Sequence, residues 1–448
     1  MSHALPSSAL LLVAAAGIGA ADGYYTNYGN LHGPLVALGV ATGVAVIGAL
    51  IPRTRLETKP LLIGLTAAVF VTFALMQWRR TVGFIPLGSV YDAAHYLSVA
   101  LPALGLVILA VKMRWAVWAW RAFLLVFSTA SVLVLQQSDR PYIDVWFLLT
   151  HASQCTTHLC NPYTMATPES PGVAYSMNYL PGSFLFLTPF RVLYGDIRYG
   201  LLFALVVAAV ALRRLIPGRA GLVGGCLAVT VPGTIFGIER SWLEPLLFGL
   251  IVLTLLAWQR DHTVWTVVLL AAAFATKQHM LLLAPLAMLV FGWRKTFLGI
   301  GGAAAIMLPW FIASPSAMYD NTVTFFLRLP IRLDALSVFP YEPTWTRPIL
   351  PIAALVIAYA VISFRVPRTA SGFLVGSALI LAGFTLTNKI SFYNEWALPA
   401  MLLLAGATAV AYDSQSRPAA DERSSEEQST RSMTAGRERL AMNADFNS

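Results

Sequence analysis

Charge is what this sequence has least of: 11% of its 448 residues are Asp, Glu, Lys or Arg. A soluble domain carries roughly 25%, so most of this surface is not built to face water. Cysteine is also scarce, at three residues, which excludes a scaffold knit by disulfides. The chain contains no P-loop glycine motif, no G-x-S-x-G elbow and no H-E-x-x-H pair. ATP chemistry on the cytoplasmic side is thereby disfavoured. No repeat of 20–50 residues is visible.

Apolar residues fill the space that charge leaves. They make up 57% of the chain, and the mean hydropathy is +0.69. The 32 glycines suit the close backbone contacts that hold helices together in lipid. A net charge of +9 reads here as orientation signals in short loops and not as a nucleic-acid footprint.

A spanning helix needs about 20 mostly apolar residues. Candidate spans cover 7–22, 33–51, 60–78, 90–111 and 115–137, then 197–215, 220–238, 241–258, 263–277, 279–293, 296–313, 349–364, 370–388 and 391–412. The expected fold is an all-α polytopic membrane protein of about 12–14 transmembrane helices. The first segment lacks a basic leader and more spans follow at once, so it is expected to be a retained span and not a cleaved signal.

Basic residues mark every second connection: Arg53, Arg55 and Lys59; Lys112 and Arg114; Arg213, Arg214 and Arg219; Arg260; Arg294 and Lys295; Arg365 and Arg368. These loops are expected to be cytoplasmic. Both termini then lie inside a plasma membrane, and 138–196 and 314–348 lie outside. The expected organisation is N-terminal helices (1–137), an extracytoplasmic loop with interfacial segments (138–196), a transmembrane core (197–412) and a disordered polar tail (413–448).

The outer loop carries the chemistry. Its stretch 179–194 is apolar and aromatic but interrupted by Pro181 and Pro189, as expected of an interfacial or re-entrant piece lining a cavity. Asp139 and Asp144 follow the fifth span, and a carboxylate in a partly dry cavity there can serve as a general base. The plainer reading is a solvated helix-end carboxylate beside Arg140.

Lys277 interrupts an apolar run, so it is a functional candidate by default; a snorkelling lysine at a tight turn is the alternative. Arg240, His279, Arg328, Arg332 and Lys389 also sit at the outer rim. Arg328 and Arg332, four apart, are expected to share a helix face. Glu239 and Glu244 bracket Arg240, which points to local ion pairs and rim solvation; binding of acceptor hydroxyls or of a divalent ion is the alternative. Glu395 lies just inside the last span, and Asp92 and His95 at the start of the fourth are a helix-end pair. Cys155 and Cys160 are expected to form a small disulfide; a zinc site with His151 and His158 is the weaker alternative, and Cys226 reads as packing.

The order of these pieces resembles the first outer loop of C-type glycosyltransferases, closest to the actinobacterial polyprenyl-phosphate-mannose-dependent families such as family 87. The matching residues are Asp144, Trp146, Asn161, Pro162, Tyr163, Tyr179, Pro181, Gly195, Asp196 and Arg198, then Thr276-Lys277-Gln278-His279, then Arg328 and Arg332 through Ser337. The resemblance covers about 140–412 and departs in two ways. Four spans precede the one leading into the loop, and Leu180-Pro181 stands where many members have two prolines.

The resemblance implies a C-type glycosyltransferase-like bundle that moves a sugar, mannose, from a polyprenyl-phosphate donor to a glycan or glycolipid acceptor. Asp144 would be the base. Lys277, His279, Arg240, Arg328, Arg332, Tyr163, Tyr179 and Glu395 would bind substrate, with no metal or other cofactor. A multispan transporter or flippase is the alternative, and a ligase handing over a whole lipid-linked glycan is another.

The topology makes a direct prediction. A cysteine introduced within 138–196 should react with a membrane-impermeant maleimide in intact cells, and one beyond residue 413 only after permeabilisation. Labelling in the opposite order would invert the reading.

Overall fold

The computed structural model describes residues 6–24, 32–52, 57–78, 88–141, 143–165 and 177–413. Among them every long element is a helix. Five helices come first: α1 (Ser8–Tyr24), α2 (His32–Leu50), α3 (Lys59–Trp78), α4 (Ser89–Ala110) and α5 (Met113–Gln137). Then come α6 (Asp144–Thr157) and α7 (Pro181–Tyr194). The core comprises α8 (Arg198–Leu215), α9 (Gly218–Val229), α10 (Thr234–Glu239), α11 (Glu244–Gln259), α12 (Thr263–Phe274), α13 (Ala284–Phe291) and α14 (Trp293–Ala313). After the short α15 (Pro315–Tyr319) and α16 (Phe325–Arg328) come α17 (Ile349–Arg365), α18 (Ala370–Thr387) and α19 (Tyr393–Asp413).

Each expected span coincides with helix, but not every one is continuous. By length and composition seven described helices can cross a membrane, or eight if the bent pair α7–α8 is one span. Three of the remaining spans, in α1, α11 and α17, are continuous apolar helices of fewer than 18 residues, and the others are broken for local reasons. Pro232 and Gly233, the latter at φ +87°, separate α9 from α10 within the expected span 220–238. Lys277, in extended conformation, separates α12 from a 3-10 turn (Gln278–Leu283) and α13. Such interruptions are tolerated at membrane depth only where protein or a cavity surrounds them. The polar tail expected to be disordered, and Arg53 and Arg55, lie outside the described residues.

The interfacial expectation for 179–194 meets a helix. Pro181 occupies its first turn, where a missing N–H does no harm, and Gly195 ends it at φ +78°. The helix runs on through Pro189. It meets α8 at 110° and leaves Val192, Leu193 and Tyr194 exposed, so its apolar end lies on the outside of the bundle.

The centre belongs to α18 and α19, whose apolar windows are 78% and 83% buried, whereas α14 at 17% is peripheral. The first four helices pack along the flank: α4 and α5 against α9, and α2 against α17 and α18. Arg219 clamps this group by donating to the carbonyls of Leu109 (2.6 Å) and Val111 (2.5 Å) at the end of α4. Gln77 donates to Thr230 O (2.9 Å) at the other end.

Following the helices up and down divides the bundle into two ends. The starts of α6, α8, α11 and α19 share one end with the finish of α12 and α18. Arg213, Arg214, Arg219, Arg260, Arg294, Lys295, Arg365 and Arg368 all fall at the opposite end.

Arg198, 1% exposed, ties the first end together. Its guanidinium donates twice to Asp196 Oδ2 (2.8 and 2.6 Å), to the carbonyl of Ser138 (2.6 Å) past α5, and to that of Glu239 (3.3 Å) at the end of α10. Helix-terminal carbonyls lack partners within their own helix, and one planar fork satisfies several here. Arg198→Ala should therefore cost about 3–5 kcal/mol. Thermal unfolding of the detergent-solubilised protein should show a large drop in midpoint for Arg198→Ala and a smaller one for Arg198→Lys. Equal midpoints for native and Arg198→Ala protein would refute the staple.

Candidate functional site

α6 opens at Asp144, whose Oδ1 accepts the N–H of Val145 at 2.8 Å. A carboxylate in a first turn is favoured by the helix dipole. Burial nevertheless raises its pKa above the ordinary 3.8, opposed by the backbone bonds and by the charge of Arg332. Asp144 is thus half-buried and within electrostatic reach of the 314–348 loop.

Tyr179 links Asp144 to the core. Burial raises its phenol well above 10, and the carboxylates of Asp144, Glu244 and Glu395 add to the rise. Three acidic groups from α6, α11 and α19 thus surround one tyrosine. Tyr163, expected to bind substrate, is 1% exposed, and its hydroxyl donates to the carbonyl of Tyr179 at 2.8 Å. It therefore braces Tyr179 from behind and does not face an open site.

Lys277 neither snorkels nor stands open. Its Nζ donates to Glu244 Oε1 at 2.7 Å and lies 3.9 Å from Glu395 Oε1. The partner of Glu244 comes from the turn after α12. In a low-dielectric interior a lysine is stable only beside such a countercharge. A small cavity of about 10 Å³, room for about one water, is bounded by Glu244, His279, Phe384, Thr385, Glu395 and Pro399 among others. His279 lines it, with its ring 5.9 Å from that of Phe384.

Arg240 lies beside this cluster, 5.4 Å from the Trp242 ring and 5.3 Å from that of Tyr393. Arg332 is half-exposed, forks onto Asp334 (2.9 and 2.6 Å) and rests over Phe392. That fork holds the Asp334 carboxyl below the usual carboxylate range. The shared helix face expected for Arg328 and Arg332 is absent: α16 ends at Arg328, and Leu329 is extended. Arg328 is exposed, and Lys389 donates to Leu327 O at 3.2 Å.

Hydrogen bonds knit the loops into one rim. Gly182 N donates to Ala275 O at 2.7 Å, so close that a Cβ on Gly182 would meet Ala275 backbone at 2.7 Å. Gln278 donates to Asn178 O (2.9 Å) and Thr322 O (3.1 Å), and Asn321 to Tyr163 O (3.0 Å). Cys155 and Cys160 form the expected disulfide, so neither sulfur is left as a zinc ligand. Asp139 is exposed, His95 stacks on Tyr91, and Cys226 is buried and free.

Asp144, Tyr179, Lys277, Glu395 and Arg332, drawn from distant parts of the chain, thus face one region. Sequence reasoning missed the tie between Glu244 and Lys277. The signal was present, since Glu244 opens an apolar helix and a charge there needs a partner. No model of a known protein family matches this chain, and no curated protein matches it.

The ion pair predicts a diagnostic stability pattern. Lys277→Met should destabilise by about 3–5 kcal/mol, because Glu244 and Glu395 stay buried without their countercharge, and Glu244→Gln by less, because Glu395 still lies 3.9 Å from the ammonium. The double variant should recover most of the loss. Additive losses in thermal unfolding would show that the two groups do not depend on each other.

Proposed function

We propose that the protein is an integral-membrane glycosyltransferase. It moves a sugar, mannose by family resemblance, from a polyprenyl phosphate to a glycan or lipid acceptor at the outer face of the plasma membrane. The observation that carries the reading is the convergence of Asp144, in a setting that raises its pKa, with a buried polar cluster and basic residues at one end of an apolar bundle. A half-buried carboxylate with a raised pKa suits removal of a proton from an acceptor hydroxyl. The leaving phosphate is already a good leaving group and needs charge compensation more than a proton. Arg240 and Arg332, at the border of the cluster, are the cations for that task. The many Arg and Lys at the opposite end fit a cytoplasmic position for that end.

One feature favours a second reading, a transporter. The unwound backbone at Lys277, between short helices and next to buried carboxylates, is a pattern that transporters use for binding sites. Transfer of sugar from donor to acceptor separates the two readings.

Membranes supplied with radiolabelled polyprenyl-phosphate mannose should support transfer by the native chain. Asp144→Asn should reduce it by roughly 10²–10⁴-fold at normal expression, and unchanged transfer would remove Asp144 from the mechanism. The pH dependence follows from the raised pKa. The protonated carboxyl is inactive and the carboxylate active, so transfer should rise with pH through a midpoint above 3.8 and then level off. An acid limb at or below that value would contradict the buried setting.

A further inference from the structure

At the end of the bundle opposite Asp144, an open cavity of about 490 Å³ lies among the ends of the central helices. Its walls are the link between α8 and α9 at Leu215 and Ile216, the last turn of α11 at Trp258, the start of α18 from Arg368 to Ser371, and the end of α19 at Tyr412 and Asp413. The volume falls in the range of roughly 300–1,000 Å³ typical of small-molecule sites. A bare phosphate takes up only a few water volumes of about 30 Å³ each, so an occupant that fills this space carries an organic part as well.

The charges favour an anion. The guanidinium groups of Arg214, Arg260 and Arg368 are exposed and bond to no described residue. By contrast, Arg213 rests over Trp120, and Arg219 is committed to the carbonyls of α4. Arg214 and Arg260 stand at the carbonyl ends of α8 and α11 and offset their partial negative charge. Arg368 stands instead beside the N-terminus of α18, where Thr369 caps the N–H of Gly372 at 3.2 Å, so guanidinium and helix dipole act in the same sense. One acid of the lining opposes them. Asp413 accepts from Ser371 Oγ at 2.7 Å, and Thr369 Oγ1 lies 2.8 Å from that hydroxyl, which ties the carboxylate to the wall.

The setting favours a lipid over a dissolved anion. Trp258 and Tyr412 are of the type that settles at the level of lipid headgroups, and the ends of spanning helices mark that level. Phe364, Val264 and Trp265, at the same end, are 75%, 73% and 61% exposed, which offers acyl chains an apolar flank. We infer that this cavity is a site for the headgroup of an anionic phospholipid, with Arg368 holding the phosphate and Trp258 and Tyr412 covering the glycerol part. The site goes beyond the glycosyltransferase reading and does not depend on it.

The test measures lipid binding to the purified full-length chain in detergent by native mass spectrometry, with dioleoyl phosphatidylglycerol and dioleoyl phosphatidylcholine as probes. The first phosphatidylglycerol should bind about fivefold more tightly than phosphatidylcholine, the effect of one arginine beside an anionic lipid. Arg368→Gln should remove that preference without moving the thermal midpoint, since its guanidinium holds no part of the fold. Asp413→Asn should tighten phosphatidylglycerol by removing the opposing charge. Arg294→Gln, at the same end but outside the cavity, should leave its affinity within about twofold. Equal affinity of the native chain for the two lipids overturns the inference, as does unchanged phosphatidylglycerol affinity in Arg368→Gln. Equal losses in Arg368→Gln and Arg294→Gln overturn it too, because they assign the effect to the diffuse field of the basic end. An excess of inorganic phosphate separates the two sources of the same chemistry. The lipid should stay bound, and its displacement would make the cavity a site for a dissolved phosphate and defeat the lipid assignment. Sugar transfer is no readout of this test, so the two readings stand or fall separately.

Discussion

A buried ammonium in an apolar bundle constrains everything around it. Lys277 is held by Glu244 and Glu395, which arrive on the first turns of α11 and α19. For those three groups to meet, two helices must begin at the same depth, and the segment after α12 must unwind between them. The extended backbone at Lys277 and the 3-10 turn that follows are the local answer. A continuous helix through this segment would carry the lysine round with the helical rotation and fix its height, so the break in the span and the ion pair are parts of one requirement.

Unwinding creates a second demand, since exposed peptide groups must find partners where water is scarce. Neighbouring segments meet it. Gly182 reaches the carbonyl of Ala275, which a side chain on residue 182 would prevent, and Gln278 reaches Asn178 and Thr322. The segment around α7 is thereby anchored to the broken span, and Tyr179 is carried to the edge of the ion cluster. Arg198 does the same work at the ends of α5 and α10. The described parts of 138–196 are therefore fixed to the core by hydrogen bonds to main-chain carbonyls as well as by apolar packing. The four leading helices, which the family resemblance left without a role, flank this core and are clamped to it by Arg219 and Gln77.

Helix positions were legible because apolar length is a one-dimensional property, and the fourteen expected segments all fall on helix. Continuity was less so: a proline–glycine pair in 220–238 and a lysine in 263–293 were both visible, but whether such residues bend, break or are absorbed depends on neighbours. Pro189 was absorbed, whereas Pro232 and Gly233 made a break. The disulfide was readable from spacing and compartment. The partner of Lys277 was not, because 33 residues separate it from Glu244 and only the packing of α11 against α12 joins them. Spacing also misled for Arg328 and Arg332, since four residues place side chains on one face only if the helix continues, and α16 stops at the first of the pair.

The cluster carries its own tension. Asp144, Glu244 and Glu395 all act on Tyr179, so three carboxylates share one neighbourhood. Lys277 offsets two of them, and Arg332, itself forked onto Asp334, reaches Asp144 only at longer range. Ionising Asp144 is resisted by burial, which is the condition that turns a carboxylate into a better proton acceptor once it is ionised. On the glycosyltransferase reading, an incoming phosphate adds to the negative charge unless it arrives beside Arg240 or Arg332. The donor is then steered to the aromatic and basic side of the cluster.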